Sequence, residues 1–346
     1  MSFETKDVER KILAILKILQ NLQKPAGARI IAQHLKDYGV VLSERAVRYH
    51  LKLMDERGLT QLVGNQDGRI ITESGVIEVK NALVKDKVGL TITKIELLAY
   101  RTDFDIDTRR GKIPVNVSIF PKNIFNKALK TMQPAFDQGF CVSRLVTVAN
   151  AGQRIGDVMI PDDKIGLATV CSIVINGTLL KAGIPMDSRL SGILQMLNRK
   201  PIRYTEIIHY NGCSLDPSEI FIKAKMTSVM EAVNTGNGEI LANFREIPAI
   251  CLPVVERVLA GLKAAGIDGI LARGNPSEPV CEVSVDPNKI GLILIGGLNP
   301  VAAAQESGWE AENHCMSTMV DYQSFIDFND LLKRKNIAGD KAGKER

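Results

Sequence analysis

Residues 43–58 of the chain read SERAVRYHLKLMDERG. Ser43 is suited to cap a helix N-terminus, and Val47, Leu51 and Met54 recur at helical spacing, so the stretch predicts a helix that buries these three side chains. Long cationic side chains and a phenol fall largely on another face. Such a face is typical of a helix that reads the DNA major groove, where Arg contacts guanine edges and Lys contacts phosphates.

The flanking segments predict the rest of a small domain. Residues 8–22 and 27–38 carry apolar side chains at helical spacing, namely Ile12, Ile15, Leu16 and Leu19 in the first and Ile30, Ile31 and Leu35 in the second. Two short β-runs, 59–63 and 69–72, flank a turn at 65–68 that contains glycine. Three helices followed by a hairpin predict a winged helix-turn-helix, although the same shape also serves as a protein-binding module. The candidate DNA-contacting residues are Ser43, Glu44, Arg45, Arg48, Tyr49, Lys52 and Arg69.

Charge is concentrated in this N-terminal part. Residues 1–72 hold 12 Lys and Arg against 8 Asp and Glu, which gives +4 of the net charge of +5. The remainder of the chain is close to neutral. A basic N-terminal part on a neutral body favours a polyanion, here double-stranded DNA, as the partner of the N-terminal part.

Composition sets the broad class. The chain has 346 residues, 45% of them hydrophobic and 24% charged, as in a soluble globular protein of two or three domains. Its N-terminus lacks the apolar segment of a secretory signal, and its apolar runs fall short of a membrane span, so we expect a cytoplasmic protein with no membrane partner. Six cysteines and four histidines are scattered singly, which predicts reduced thiols, no metal site and no cofactor.

The body of the chain repeats itself. Residues 111–116 read GKIPVN and residues 238–243 read GEILAN, a spacing of 127, while KIGL at 164–167 recurs at 289–292, a spacing of 125. In each copy a β-run leads past a proline into a helix, and further β-runs, such as 165–175, lead to a loop and another helix. Strands alternating with helices predict an α/β domain of two similar halves, with a cleft between them that suits a small ligand.

These patterns divide the chain as follows. We expect a winged-helix DNA-binding domain at 1–75, a helical connector at 76–90, an α/β effector-binding and dimerisation domain at 91–328 with halves at about 105–200 and 232–320, and a disordered tail at 333–346. The tail lacks apolar periodicity, so a solvated terminus is favoured over a DNA contact.

Two sets of motifs carry a family resemblance. SERAVRYHLKLMDERGL at 43–59 resembles the winged-helix domain named after ribonuclease R. DDKIGLATVCSIVINGTLLKAGIP at 162–185 and PNKIGLILIGGLNPVAAAQESG at 287–308 resemble the NrpR regulatory domain. The resemblance covers residues 8–325 and implies a one-component repressor of nitrogen-assimilation genes that binds operator DNA as an oligomer and is released by 2-oxoglutarate. Longer family members differ from this chain, which has one regulatory domain.

Candidate ligand residues follow the apolar β-runs of the body. Backbone N–H groups at a strand-to-helix turn suit a carboxylate, although plain turns also need glycine. Polar atoms within the strand at 169–172 either face a cleft or bond to the backbone, and an arginine near a loop either pairs with a dicarboxylate or stays solvated. The candidate effector-binding residues are Thr169, Cys171, Ser172, Asn176, Gly177, Thr178, Arg189, Gly296, Gly297 and Asn299, with Arg154 as a further cationic candidate.

The usual catalytic and nucleotide-binding motifs do not occur in the sequence, which favours binding over catalysis. The leading hypothesis is a repressor whose α/β body binds a small dicarboxylate. One recognition helix reads few base pairs, so paired N-terminal parts require a homodimer or a higher homo-oligomer. Two alternatives stay open: an enzyme that carries a nucleic-acid-binding head, and an RNA-binding or adaptor module.

Overall fold

A computed structural model describes residues 3–37, 40–64, 68–81 and 89–334. The chain divides into two compact units, Met1–Leu97 and Leu98–Arg346. The predicted class, a winged helix-turn-helix followed by a domain of mixed helices and strands, is confirmed. Over the described ranges, no helix combines the length and the apolar character that crossing a bilayer requires.

The first unit has the element order of a winged helix. Its elements are α1 (Phe3–Leu22), α2 (Ala28–Asp37), α3 (Glu44–Glu56), β1 (Thr60–Val63), β2 (Gly68–Ile71) and α4 (Glu73–Asn81), followed by α5 (Leu90–Arg101), which crosses the division between the units. Strands β1 and β2 pair antiparallel with Thr60 opposite Ile71. Residues 65–67 of the predicted turn lie outside the described residues, as do residues 82–88 of the predicted connector.

Helices α1, α2 and α3 bury one apolar face each. Val47, Leu51 and Met54 of α3 are fully buried, as their spacing predicts. On α2, Ile31 is fully buried but Ile30 is 42% exposed. Neighbouring residues point about 100° apart around a helix. The grouping of Ile30 with the buried face of α2 is therefore wrong.

The second unit contains two five-stranded sheets. Its strands are β3 (Lys112–Pro121), β4 (Leu145–Asn150), β5 (Arg154–Ile155), β6 (Val158–Met159), β7 (Lys164–Val170), β8 (Asp187–Leu197), β9 (Lys200–His209), β10 (Gly238–Pro248), β11 (Ile270–Arg273), β12 (Lys289–Ile295), β13 (Glu312–Asp321) and β14 (Ile326–Asp327). Its helices are α6 (Phe125–Asp137), α7 (Ile173–Lys181), α8 (Pro217–Lys223), α9 (Val229–Thr235), α10 (Leu252–Ala264), α11 (Asn299–Glu306) and α12 (Phe328–Lys333). Of the predicted tail, residues 335–346 lie outside the described residues.

The sequence repeat is also a repeat of strand pairing. The first sheet has the order β13-β3-β7-β4-β14 and the second has the order β11-β12-β10-β8-β9, with antiparallel pairing between neighbours. Pro121 lies opposite Lys164 in the first sheet, and Pro248 lies opposite Lys289 in the second. These positions are related by the spacings of 127 and 125 in the sequence. The two halves therefore share one register.

The repeats exchange their last strands. Strand β8 follows α7 of the first repeat but pairs with β10 of the second, and β13 follows α11 of the second repeat but pairs with β3 of the first. Each sheet thus contains a strand from the other repeat. The predicted halves at about 105–200 and 232–320 are intertwined rather than side by side.

The apolar run 165–175 is two elements. Strand β7 ends at Val170, and α7 begins at Ile173, with Ser172 already in helical conformation at φ −59 and ψ −16. Gly177 lies inside α7, where a Cβ would lie 2.3 Å from the Cβ of Thr102. A run that is buried throughout gives no periodicity that separates strand from helix. The prediction of a strand up to residue 175 is wrong for this reason.

Candidate functional site

The exposed face of α3 carries the predicted DNA contacts. The Ser43 Oγ accepts a hydrogen bond from the backbone N–H of Ala46 at 3.2 Å, so Ser43 caps the helix as predicted. Arg45, Arg48 and Lys52 are exposed, and Tyr49 is 66% exposed. Because the opposite face is fully buried, α3 is fixed in the core and presents these side chains to solvent.

Arg48 has one ionic partner on its own helix. Its Nη2 donates to Glu44 Oε2 at 3.2 Å, and both side chains are about half exposed. An exposed pair at this spacing contributes only about 0.3–0.5 kcal/mol. A phosphate or a guanine edge therefore competes readily with Glu44 for the guanidinium.

Arg69 differs from the α3 cations. Its Nε donates to Asp55 Oδ2 at 2.7 Å, and its side chain is 15% exposed. Thr60 Oγ1 donates to Asp55 Oδ1 at 2.6 Å. Asp55, in the last turn of α3, thus ties both strands of the hairpin to the helix. Arg69, predicted as a DNA contact, is engaged in this ion pair.

The first predicted ligand loop is not a loop. Asn176, Gly177 and Thr178 lie within α7 and are buried. Asn176 Nδ2 donates to Ser188 Oγ at 3.0 Å, and the Thr178 hydroxyl donates to the carbonyl of Val174 at 2.8 Å. The turn from strand to helix is formed by Cys171 and Ser172, two residues of the strand step that the sequence also singled out.

The second predicted loop is a turn, but Gly296 and Asn299 already form hydrogen bonds with β10. The backbone N–H of Gly296 donates to the carbonyl of Leu241 at 2.8 Å. Asn299 Nδ2 donates to the same carbonyl at 3.0 Å, and its Oδ1 accepts from the N–H of Leu241 at 2.8 Å. Asn299 therefore joins α11 to β10. Thr169 is buried on β7, and its Oγ1 has no hydrogen-bond partner among the described residues.

Arg189 lies in a cluster of charges. Its Nη1 is 3.0 Å from Asp286 Oδ2 and 3.4 Å from the buried Glu246 Oε2, and Lys289 Nζ is 3.1 Å from that same Glu246 oxygen. The hydrogen bond from Lys289 holds the pKa of Asp286 below its ordinary value. Asp187 completes the set, and carboxylate oxygens of Asp187, Glu246 and Asp286 lie within 4.8 Å of one another. Arg189 and Lys289 each contact all three carboxylates and offset two of their three negative charges, so the cluster is an ion-pair network.

Arg154 lies apart from this cluster. Its Nη1 donates to the carbonyl of Asp157 at 3.0 Å, and the side chain is exposed. Neither Arg154 nor Arg189 lines the cavity described next.

A polar cavity of about 30 Å³ lies where the two repeats meet. Its lining includes Asn116 and Ser172 from the first repeat, and Asn243 and Gly297 from the second. Asn243 Nδ2 donates to Ser172 Oγ at 3.4 Å. A Cβ on Gly297 would lie 2.6 Å from Asn116 Nδ2. Since Asn116 corresponds to Asn243 and Ser172 to Gly297 in the repeat, the cavity lies on the pseudo-twofold axis.

Sequence reasoning missed the cation of this cavity, Arg245. It lies on β10, is 1% exposed and lines the cavity with Tyr210 and Asp216. Its guanidinium carbon is 5.0 Å from the centre of the Tyr210 ring. Its Nη1 donates to the carbonyl of Phe244 at 3.4 Å, while its Nε has no partner among the described residues. A charged residue within the apolar run ILANFREI at 240–247 was the available signal.

Tyr210 is a hydrogen-bond donor in the cavity. Burial raises its pKa to about 12, although the charge of Arg245 opposes the shift. The phenol is therefore protonated at neutral pH, and it donates to Asn243 Oδ1 at 2.7 Å. The arrangement offers the guanidinium of Arg245, the hydroxyl of Ser172 and the amides of Asn116 and Asn243 to a small polar ligand.

Comparison with known proteins agrees with both units. Residues 88–327 match the family described as NrpR regulatory domains NRD1 and 2, and residues 13–79 match the ribonuclease R winged-helix domain. A nitrogen repressor-like protein from Methanococcus jannaschii has a similar solved structure, with a TM-score of 0.59 at 25% identity over 70% of this chain and 98% of that chain.

Curated relatives of the chain are named global nitrogen regulators. The chain is 38% identical to the global nitrogen regulator NrpRI of Methanosarcina mazei over 92% of this chain and 97% of that protein. It is 33% identical to the global nitrogen regulator NrpR of Methanocaldococcus jannaschii and 32% identical to that of Methanococcus maripaludis. It spans 55% and 54% of those two proteins, about half their length. The chain belongs to the NrpR family of nitrogen regulators.

Proposed function

We propose that the protein is a transcriptional repressor of nitrogen-metabolism genes, that it binds operator DNA through α3, and that a small dicarboxylate such as 2-oxoglutarate releases it. The observation that carries the proposal is the capped helix α3, which is buried on one face and exposes Arg45, Arg48, Tyr49 and Lys52 on the other. The names of the relatives support nitrogen metabolism as the class of target genes. The effector is the one that the family resemblance of the sequence implies. In this proposal residues 1–75 bind DNA, and residues 91–328 bind the effector and form the dimer. Residues 76–90 connect these two parts.

The proposed DNA contacts divide by chemistry. Arg45 and Arg48 have the planar guanidinium that pairs with a guanine edge, while Lys52 suits a phosphate. Tyr49 adds a phenol that donates to phosphate oxygens. Arg69 is omitted from the contacts because Asp55 already engages it.

We propose a homodimer formed through the α/β body. A single recognition helix contacts few base pairs, and two helices related by a twofold axis read a palindromic site with multiplied specificity. Because the proposed partner is operator DNA, we expect the protein to act in the cytoplasm. Light scattering that gives a monomer at micromolar concentration, with and without DNA, would contradict this assembly.

The proposal concerns regulation rather than catalysis. Its effector part is supported by the polar cavity between the repeats, to which Cys171, Ser172 and Gly297 of the predicted ligand residues contribute. Clefts between repeats and domains are the usual positions of small-molecule sites.

The test is a binding titration with a DNA duplex selected from a random library by the full-length protein. We expect the selected duplex to bind about 10³-fold or more tightly than a scrambled duplex, and more tightly than RNA of the same sequence. Equal affinity for the two duplexes would contradict sequence-specific operator binding. Preference for the RNA would favour the RNA-binding alternative.

A further inference from the structure

Arg245 is a buried cation that the protein itself does not neutralise. Moving a guanidinium out of water costs several kcal/mol unless an anion or good hydrogen bonds replace the water. Arg189 and Lys289 each lie within 4.0 Å of several carboxylates. Arg245 has the ring of Tyr210, one long bond to a backbone carbonyl and, within the described residues, no carboxylate at salt-bridge distance.

The carboxylate that shares the cavity with Arg245 has other partners. Asp216 lines the cavity, but its Oδ1 accepts from the backbone N–H groups of Ser218 and Glu219 at 2.9 and 3.3 Å. It therefore caps α8, where the N-terminal end of the helix offsets its charge. The positive charge of Arg245 stays available to a molecule that enters the cavity.

The other polar groups around Arg245 suit a carboxylate. The Ser172 hydroxyl and the amide nitrogens of Asn116 and Asn243 supply donor groups, and the absence of a side chain at Gly297 leaves space beside Asn116. The Tyr210 hydroxyl donates to Asn243 Oδ1 and so orients that amide. An arginine beside neutral donors, where the carboxylate of Asp216 is already engaged by backbone N–H groups, suits an anion.

We propose that Arg245 binds a carboxylate group of the effector in the cavity on the pseudo-twofold axis. This inference rests on the proposed function, which supplies the dicarboxylate. A cavity of about 30 Å³ holds a group the size of one or two waters. The cavity therefore accommodates one carboxylate group, and a whole dicarboxylate extends beyond it. A ligand that binds one arrangement of the two repeats more tightly than another shifts the protein toward that arrangement.

The test compares Arg245→Met with the full-length wild-type protein by calorimetry and thermal melting, using 2-oxoglutarate and glutarate as probes. We expect the variant to bind 2-oxoglutarate about 10- to 150-fold more weakly, because a charge-assisted pair contributes about 1.5–3 kcal/mol. We expect its ligand-free melting temperature to equal or exceed that of the wild type, since the variant buries no unpaired charge. Arg203→Met, which removes an exposed arginine from the same sheet, is the matched control and binds like the wild type.

The outcomes separate the role of Arg245 from the identity of the effector and from DNA binding. Wild-type affinity in Arg245→Met, or a large loss of ligand-free stability with affinity retained, would make Arg245 a structural residue and overturn the inference. If Arg245→Met does not fold, Arg245→Lys keeps the charge without the planar fork and is expected to weaken binding at least tenfold. If the wild type binds glutarate through Arg245 but not 2-oxoglutarate, the proposed effector fails and the site stands. If the wild type binds neither probe, the site fails, and the DNA-binding proposal is unaffected.

Discussion

Arg48 and Arg69 are arginines of the same unit in different surroundings. The side chain of Arg48 is 59% exposed beside Glu44, whereas that of Arg69 is 15% exposed against Asp55. The same residue type is therefore exposed on the proposed recognition helix at one position and attaches the hairpin to α3 at the other. The exposed fraction of each side chain and the distance to its ionic partner distinguish the two positions, whereas the sequence alone does not.

We predict that alanine substitutions at these arginines change different properties, DNA affinity on α3 and stability at Arg69. Arg48→Ala, and equally Arg45→Ala, is expected to weaken binding of the selected duplex by about 1–3 kcal/mol and to leave the melting temperature nearly unchanged. Arg69→Ala is expected to destabilise the first unit by about 1–3 kcal/mol, because it leaves Asp55 without its cation. Fluorescence anisotropy and thermal melting measure both effects. Unchanged DNA affinity in Arg45→Ala and Arg48→Ala would remove α3 from the recognition surface.

Sequence reasoning was strong for local contacts and weak for distant ones. The Ser43 cap and the buried Val47, Leu51 and Met54 follow from spacing within one helix. Arg245 was not predicted as a ligand residue because its neighbour in the cavity, Tyr210, lies on the connection between the repeats and is distant from it along the chain. The contact that Asn299 makes could not be predicted for a related reason. Its amide is used by the backbone of Leu241, which no local pattern indicates.

Among the elements, α3 depends on its buried face as well as its cap. Leu51 is fully buried in a core shared with Ile15, Leu16 and Leu35. The exposed positions of α3 face solvent because this core holds the helix.

We predict that Leu51→Ala destabilises the first unit by about 2–5 kcal/mol, the usual cost of a cavity at a buried leucine. Ile30→Ala is the matched control, since Ile30 is 42% exposed on α2 and is expected to change stability by less than about 1 kcal/mol. Chemical denaturation of the two variants gives the comparison. A fully stable Leu51→Ala protein would mean that α3 buries a different face.

The repeat was visible in the sequence, but its strand exchange was not. The spacings of 127 and 125 predict two similar halves, and the pairings of Pro121 with Lys164 and of Pro248 with Lys289 have the same register. Contacts between the halves decide which sheet is joined by β8, the strand after α7, and by β13, the strand after α11. Those contacts are made by whole sheets and leave no motif in the strand itself.

For the whole molecule, the exchange links the cavity to both sheets. Strand β10 carries Asn243 and Arg245 and pairs with β8 of the other repeat, while β3 carries Asn116 and pairs with β13 of the other repeat. A ligand that changes the arrangement of the repeats at the cavity would therefore act on strands of both sheets. Packed sheets have discrete arrangements rather than continuous ones, so we expect the proposed effector to bias the whole body.

In the proposed function, effector binding and DNA binding oppose each other in one molecule. Binding free energies couple reciprocally, so an effector that weakens DNA binding must itself be bound more weakly when DNA is present, by the same factor. A protein that merely carries two independent sites has no such coupling.

The most direct test measures the affinity of the full-length protein for the selected duplex in 2-oxoglutarate from zero to millimolar, then the affinity for 2-oxoglutarate with and without saturating duplex. We predict that the effector weakens duplex binding by about 5- to 150-fold and that the duplex weakens effector binding by the same factor. Duplex affinity that stays constant while 2-oxoglutarate binds would contradict the proposed coupling.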